Sequence, residues 1–365
     1  MPRRVLICLL ALLACLRAAG AETILVISDT HFTGEAQARA AVTGAVQRAA
    51  ETRGVLLLLG DNTNNSRPEE HEAVLAFARS AAGGGTQVLL LPGNHDYTRH
   101  WGPAEFAAQY GAYGAEQAFS RDAATAGCAV MTGDGTCLLL LDTNARDANG
   151  MVLPDGGVTR ETLAWAESVL DALPPGTPVI ACGHHPILPA SRGARTPGAG
   201  ALADALRAHG VRLYLCGHDH GFATVEERGL RQITVGQPQG WPGWAGEVER
   251  TEDGFLWRTE CVYEPSSPVF QRLRNSAEAL ARQMAAGTLA STAFAEDEGA
   301  IRWFCEAFMH HAGGTLTPEI CARLLADENC AKWREIETRT VVRDWILGLL
   351  ENCPEDVRSI RIPLP

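Results

Sequence analysis

Apolar residues along the first two thirds of the chain are grouped in short uninterrupted runs, each followed by glycine, proline or polar residues. Runs of this length are typical of strands that are buried on both faces, as in a parallel sheet covered by helices. The runs lie at residues 24–27, 55–59, 88–91, 137–141, 179–182 and 213–216. They predict the strands of an α/β core.

Segments without internal breakers, except for Gly44, separate these runs and predict helices at Ala36–Arg53, Pro68–Ala82, Thr159–Ala172 and Ala201–His209, with one or two short helices within 103–119. The Asp134-Gly135 pair between two apolar segments predicts a β-hairpin. Beyond residue 220, strands are predicted at 221–225, 230–235 and 255–263. Alternating strands and helices followed by antiparallel strands predict a two-layer or sandwich α/β core.

The pattern changes near residue 265, where glycines become sparse and helical spacing begins. Apolar residues recur at the spacing of a helix over 269–286, 299–312, 317–326 and 330–350. We therefore predict a core domain at 22–265 and an appended helical region at 266–365, whose role the sequence does not indicate.

Polar residues of the metal-binding type stand directly after five of the apolar runs. The five segments are Ser28-Asp29-Thr30-His31, Gly60-Asp61-Asn62, Gly93-Asn94-His95, Gly183-His184-His185-Pro186 and Gly217-His218-Asp219-His220. Five strand ends that each carry such residues are what one binuclear metal centre at the edge of a sheet requires. A single Gly-His-X-His is more often a turn with a hydrogen-bonded histidine, but five such clusters make that interpretation a poor one.

The chemistry of these side chains favours particular metals. Carboxylates and an amide oxygen combined with imidazoles suit Mn, Fe or Zn better than Mg or Ca, which prefer all-oxygen ligands. The candidate ligands are Asp29, His31, Asp61, Asn94, His184, His218 and His220. We expect two divalent or trivalent ions, whose identity the sequence does not give.

Together, these five segments resemble the calcineurin-like metallophosphoesterases, in the order of that family and over residues 23–240. The resemblance implies a four-layer α/β/β/α sandwich. It also implies that one ion is held by Asp29, His31, Asp61 and His220, and the other by Asp61, Asn94, His184 and His218, with Asp61 as the bridge. His184 rather than His185 is the implied ligand because the family pattern is His-X-Pro.

The resemblance further implies a mechanism. Two ions about 3.5–4 Å apart lower the pKa of a bridging water, and the resulting hydroxide attacks phosphorus in line. His95 follows the ligand Asn94 without a metal role of its own, so it is the candidate general acid for the leaving oxygen. The alternative for His95 is a structural hydrogen bond to the metal ligands.

The segment Gly60-Asp61-Asn62-Thr63-Asn64-Asn65 departs from the protein Ser/Thr phosphatases, which have a second aspartate three residues after the first and an Arg-Gly pair. It is more similar to the cyclic-nucleotide phosphodiesterase-like and exported branch. Hydrolysis of a phosphomonoester or phosphodiester is therefore the first hypothesis. A nucleotidase or a phospholipid-directed esterase is the alternative within enzymes, and a catalytically inactive binding protein is the alternative outside them.

Further residues carry weaker predictions about substrate. His185 beside the ligand set, Arg192 and Arg195 on the next loop, and Trp241 after the last motif are candidate substrate contacts. Asp142 and Asn144 at a strand end are more consistent with a structural turn. The net charge of −12 argues against binding of duplex nucleic acid, which needs clustered Lys and Arg. We expect a small phosphorylated substrate, and the oligomeric state is not indicated.

The first 21 residues read as a signal peptide, with Arg3 and Arg4 before an apolar segment and Ala19-Gly20-Ala21 as a cleavage site. Export is therefore expected. Leu12-Leu13-Ala14-Cys15 loosely resembles a lipobox, so a membrane tether through acylated Cys15 is the alternative. An oxidising compartment would permit disulfides among the cysteines after Cys261, but their connectivity cannot be deduced from sequence.

Overall fold

The computed structural model describes residues 22–33, 44, 46, 50, 53–189, 196–336, 340–353 and 355–365. The strands in these ranges are β1 Thr23–Ile27, β2 Val55–Leu59, β3 Gln87–Leu91, β4 Ser120–Arg121, β5 Cys128–Met131, β6 Cys137–Leu140, β7 Val179–Cys182, β8 Leu213–Cys216, β9 Ala223–Glu227, β10 Leu230–Thr234, β11 Trp244–Arg250, β12 Gly254–Cys261 and β13 Ser359–Pro363. The predicted signal peptide lies outside the described ranges, as does most of the helix predicted at Ala36–Arg53.

The strands form two mixed sheets. The first has the order β13-β12-β11-β1-β2-β3, and the second has the order β4-β5-β6-β7-β8-β10-β9. Strands β1, β2 and β3 are parallel, as are β6, β7, β8 and β10. The carboxyl ends of parallel strands meet at one edge of a sheet, so the motif residues of each sheet are gathered at one edge.

Helices cover the outer face of each sheet, and further helices make up the C-terminal region. In chain order they are α1 Pro68–Gly83, α2 Pro103–Tyr110, α3 Arg160–Ala172, α4 Ala199–Ala208, α5 Pro268–Leu289, α6 Glu298–Ala312, α7 Pro318–Ala326, α8 Glu328–Arg334 and α9 Val341–Glu351. Helix α3 begins where Thr159 caps it by accepting a hydrogen bond from the Thr162 amide. No helix in the described ranges is long and apolar enough to cross a membrane.

Alternation along the strands builds the layers. In β1, Ile24 and Val26 face the core between the two sheets, whereas Leu25 and Ile27 face α1 and α2. Helices α3 and α4 pack on the outer face of the second sheet. The predicted four-layer α/β/β/α sandwich is therefore confirmed, with the five motifs at one end of it.

The C-terminal helices predicted from sequence are present and share a core of their own. The helical stretch predicted at 330–350 is divided into α8 and α9. Three strands were not predicted: the two-residue β4, the seven-residue β11, and β13, which pairs antiparallel with β12. The last residues therefore return to the first sheet, so the C-terminal region is joined to the core at both of its ends.

Candidate metal centre

The motif residues turn the backbone sharply where each strand ends. Asp29, His31, Asp61, His218 and His220 all have positive φ angles, of 54°, 40°, 49°, 74° and 59°. Non-glycine residues adopt this left-handed conformation rarely, at a cost of about 1–3 kcal/mol each, and mainly at functional sites. This backbone conformation turns the side chains away from their strands and towards one another.

Gly60 lets the loops approach each other closely. Its φ is +89°, and an added Cβ would lie 2.7 Å from the Gly93 amide nitrogen and 2.8 Å from Nδ1 of His184. A side chain at this position would therefore displace either the Asn94 loop or the His184 ring. The glycine of the Gly-Asp motif is explained by this contact and by its backbone conformation.

One group of side chains consists of Asp29, His31, Asp61 and His220, whose ligand-type atoms all lie within 4.8 Å of one another. Nε2 of His31 is 3.2 Å from Nε2 of His220 and 3.8 Å from Oδ2 of Asp61. Nε2 of His220 is 3.5 Å from Oδ1 of Asp29. These are the four residues that the resemblance implied for one ion.

Asp61 connects this group to a second one. Its Oδ2 lies 3.3 Å from Nε2 of His184, and its Oδ1 accepts a hydrogen bond from the His95 amide at 2.8 Å. His184 forms a second group with His185 and His218, again within 4.8 Å. Asp61 thus belongs to the first group and lies in contact with His184 of the second.

The two adjacent histidines, His184 and His185, have different surroundings. Nδ1 of His184 donates to the Leu59 carbonyl at 2.8 Å, which leaves Nε2 as the nitrogen directed at the centre. In His185, Nε2 donates to the Pro154 carbonyl at 3.1 Å and Nδ1 accepts from the Thr143 hydroxyl at 2.9 Å. Both ring nitrogens of His185 are engaged by the protein, so the hydrogen bonds favour His184 as the ligand.

His95 lies at the mouth of the site with an exposed side chain. Its Nδ1 donates to the Asn64 carbonyl at 2.7 Å, and its ring meets the His31 ring edge-on with centroids 4.8 Å apart. Because a carbonyl can only accept, Nδ1 carries a proton and Nε2 is the nitrogen that can exchange one. The ring is therefore both oriented and accessible beside the ligand cluster.

Asp96 ties two of the motif loops together. This buried carboxylate accepts hydrogen bonds from the amide and side chain of Asn62, the amide and hydroxyl of Thr63 and the amide of Gly93. The loops after β2 and β3 are therefore joined directly behind Asp61 and Asn94.

Asp142 and Asn144 also have structural partners. Asp142 accepts hydrogen bonds from the Tyr97 hydroxyl at 2.7 Å and from the Asn144 amide at 3.0 Å. Asn144 donates to the Pro92 carbonyl at 3.2 Å. These contacts support the loop after β3 and agree with the structural turn that the sequence favoured.

The pKa values of His184 and Asp61 are shifted in opposite directions, each by the charge of the other. Burial alone would lower the pKa of His184, but the nearby charge of Asp61 outweighs it and raises the pKa to about 9. Burial would likewise raise the pKa of Asp61, and the charges of His184 and His31 bring it below its usual range. Asp61 thus attracts positive charge into a buried site, and a cation binding there would displace the second ring proton of His184. Burial instead raises the pKa of Asp29 to about 7 and lowers that of His31 to about 4.

Oδ1 of Asn94 is buried and accepts no hydrogen bond from any described residue. Nε2 of His184 is also buried and has Oδ2 of Asp61 at 3.3 Å, without a hydrogen bond of ordinary geometry. An unsatisfied buried polar atom is costly, and a metal ion would satisfy the Asn94 oxygen and give Nε2 of His184 a ligand bond. Mixed imidazole, carboxylate and amide donors suit Mn, Fe or Zn, so the residues present are appropriate for the ions that the sequence suggested.

The other candidate substrate contacts are Arg192, Arg195 and Trp241. Arg192 and Arg195 lie outside the described residues. Trp241 packs against Phe270 of α5, with ring centroids 6.1 Å apart, and its ring lies beside Gly313. The indole is thus in contact with the C-terminal region, and a substrate contact by Trp241 stays a prediction.

The model of the calcineurin-like phosphoesterase family matches residues 22–222, the part of the chain that holds all five motifs. Among curated proteins, no sequence matches the chain.

Three solved structures are partly similar. A purple acid phosphatase from yellow lupin is 12% identical with a TM-score of 0.48, over 67% of this chain and 52% of that one. An anchor protein of the inner membrane complex of Plasmodium is 12% identical with a TM-score of 0.43, over 67% and 86%. A phosphopantetheinyl hydrolase from Mycobacterium tuberculosis is 18% identical with a TM-score of 0.38, over 60% and 92%. These partial similarities do not indicate a substrate.

Proposed function

Because the chain belongs to the calcineurin-like phosphoesterase family, we propose that it hydrolyses a phosphomonoester or phosphodiester bond with the help of two metal ions. One observation carries the proposal: side chains from four strand ends in two sheets form two adjoining ligand groups that meet at Asp61, and Oδ1 of Asn94, after a fifth strand, is buried without a hydrogen bond from any described residue. No ligand type is missing from this set, so the inactive binding protein has the least support. When bound, the two ions supply an activated water and stabilise negative charge on the phosphoryl oxygens.

The protein's own groups have separate roles in this proposal. Asp29, His31 and His220 would hold one ion, Asn94, His184 and His218 the other, and Asp61 both. The hydrogen bond from His184 to Leu59 fixes the ring so that Nε2 faces the centre. His185 would support the wall of the site through its hydrogen bonds with Pro154 and Thr143, and a substrate contact by His185 stays a prediction.

His95 would deliver a proton to the leaving oxygen. Its Nδ1 is held by the Asn64 carbonyl, so protonation at Nε2 gives an imidazolium that can donate from the exposed side of the ring. Such assistance matters most when the leaving group is a poor one, because a good leaving group departs as an anion without a proton.

The test compares turnover of phenyl phosphate and p-nitrophenyl phosphate by the His95→Ala variant. We expect both ions to stay bound and turnover of phenyl phosphate to fall by about 10²–10⁴-fold, with a smaller fall for the better p-nitrophenyl leaving group. His100→Ala, an exposed histidine on the same loop, is the matched control. Equal losses on both substrates, or none, would remove the acid role from His95.

The substrate itself is an open part of the proposal. Cyclic nucleotides and other phosphodiesters are the first choice because of the Gly60–Asn65 segment, with nucleotides and phospholipids as the alternatives. A panel of bis-p-nitrophenyl phosphate, p-nitrophenyl phosphate and cyclic nucleotides, each with Mn, Fe, Zn or no metal, separates diester from monoester preference. Lack of hydrolysis of every ester with every metal would refute the proposal.

We also propose that the enzyme is exported. The support comes only from the sequence of residues 1–21, with its basic, apolar and small-residue segments. Amino-terminal sequencing of the protein from its native host distinguishes cleavage after Ala21 from acylation at Cys15, and an intact Met1 would refute both.

A further inference from the structure

A phenylalanine just beyond the last metal-ligand motif is enclosed by two tryptophans. Phe222 is buried and lies two residues after His220. Its ring meets Trp244 edge-on at a centroid distance of 5.1 Å and Trp257 at 5.9 Å. Aromatic pairs in such edge-to-face arrangements contribute more than their buried area alone, so this cluster fixes the end of the His218–His220 loop.

Both tryptophans also contact the C-terminal region, residues 266–365. Nε1 of Trp244 donates to the Ala312 carbonyl at the end of α6, at 2.8 Å. Nε1 of Trp257 donates to the Val357 carbonyl before β13, at 3.1 Å. The two indoles therefore connect Phe222 to two separate points of the C-terminal region.

A backbone path runs in parallel with the aromatic contacts. The amide of Gln237 donates to the carbonyl of His220 at 3.4 Å, and the amide of Trp244 donates to the carbonyl of Gln237 at 3.3 Å. Trp244 is thus linked to His220 both through the Phe222 ring and through Gln237.

The His218–His220 loop needs such support. Both histidines have left-handed backbones, with φ angles of 74° and 59°. Residues in this conformation persist only where the surrounding structure determines them. The loop also starts at Gly217, which packs directly against Ser28 and Asp29 of the first sheet.

We propose that the C-terminal region positions the metal ligands His218 and His220 through Trp244, Trp257 and Phe222. These three are positioning residues, since they act on the centre only through the loop. The inference rests on the proposed function, because it assumes that the loop holds metal. It gives the C-terminal region a role in metal binding.

The experiment compares Trp244→Phe with Trp333→Phe. Trp333 is a matched control inside the C-terminal core: its Nε1 donates to the Ala300 carbonyl at 3.0 Å, and its ring stacks on Phe304 at 5.0 Å. Each substitution removes one indole hydrogen bond to a carbonyl and keeps an aromatic ring. The measurements are the Kd for Mn²⁺ and the hydrogen-exchange rate of amides 217–222 in metal-free protein.

We expect Trp244→Phe to weaken Mn²⁺ binding about tenfold and to speed exchange in the loop. Trp333→Phe should lower the unfolding midpoint while leaving both quantities unchanged. If Trp244→Phe does not fold, Trp257→Phe provides the same comparison. Equal Mn²⁺ affinity and equal exchange in the Trp244, Trp257 and Trp333 variants would overturn this inference alone. Failure of the wild-type protein to bind any Mn²⁺, Zn²⁺ or Fe²⁺ would instead overturn the proposed function and the inference with it.

Discussion

Replacement of Asp96 by asparagine tests whether the metal centre depends on the carboxylate behind it. Asp96 is fully buried, and its Oδ2 accepts hydrogen bonds from Asn62 and Gly93 while its Oδ1 accepts two from Thr63. The substituted side chain would keep only one acceptor oxygen. If that oxygen still accepts from Asn62 and Gly93, the side-chain NH2 group of the new asparagine faces the backbone N–H of Thr63. Both groups are donors, so no hydrogen bond forms between them.

The expected cost follows from these contacts. A buried N–H that loses its partner costs about 1–3 kcal/mol, and the remaining bonds weaken because their acceptor is no longer charged. Loss of the buried charge offsets part of this, since burial raises the pKa of Asp96 to about 6 and so opposes its ionisation. We therefore expect Asp96→Asn to lose about 2 kcal/mol of stability and to bind Mn²⁺ about 10- to 100-fold more weakly.

The assay is urea unfolding in the presence of a chelator together with a Mn²⁺ titration. Asp122→Asn is the matched control, because Asp122 is also buried and accepts three hydrogen bonds, from Ala124, Thr125 and Thr162, away from the motif loops. It should be destabilised without a change in Mn²⁺ affinity. The reasoning is refuted if Asp96→Asn binds Mn²⁺ as tightly as the wild type, or if both variants lose the same affinity.

Two further predictions concern histidines. His184→Ala should lose the ion that His184 would hold with Asn94 and His218, whereas His185→Ala should keep both ions and lose about 1–3 kcal/mol of stability through its unpaired hydrogen-bond partners. Equal metal loss in both variants would contradict this assignment. For His71, burial lowers the pKa from 6.5 to about 4, so its stabilising contribution is complete above pH 6.5 and is lost as the pH falls towards 4. Between pH 7 and pH 4.5, the unfolding free energy of His71→Gln should therefore fall by less than that of the wild type. An equal fall in both proteins would show that His71 does not contribute to the pH dependence of stability.

Local sequence was sufficient for the core strands and for the convergence of the motifs. The run Val55–Leu59 is buried on both faces as its composition predicts, and Asp61 follows it at the edge of the sheet. Such positions are predictable because a parallel strand that is buried on both faces consists almost entirely of apolar residues. The choice of His184 over His185, by contrast, came from a resemblance, and the structure adds a physical reason in the partners of each ring.

Contacts between distant parts of the chain could not be predicted. Strand β13 is five residues long and pairs with β12 only because the C-terminal helices return the chain to the first sheet. The glycines, prolines and tryptophans before β11 are typical of a loop, and the position of Trp244 in a strand depends on its partners β1 and β12. The contacts of Trp244 and Trp257 with Phe222, beside the His218–His220 loop, are therefore seen only in the structure.

The most direct test of the account is the metal content of the Asp61→Asn variant. The exchange keeps the shape of the side chain but removes the charge between His31 and His184, so it separates a bridging role from a packing role. We predict two ions per wild-type chain by elemental analysis after dialysis, and a variant that is folded by circular dichroism but retains neither ion firmly. Two ions retained by Asp61→Asn would contradict the claim that this carboxylate holds the pair together.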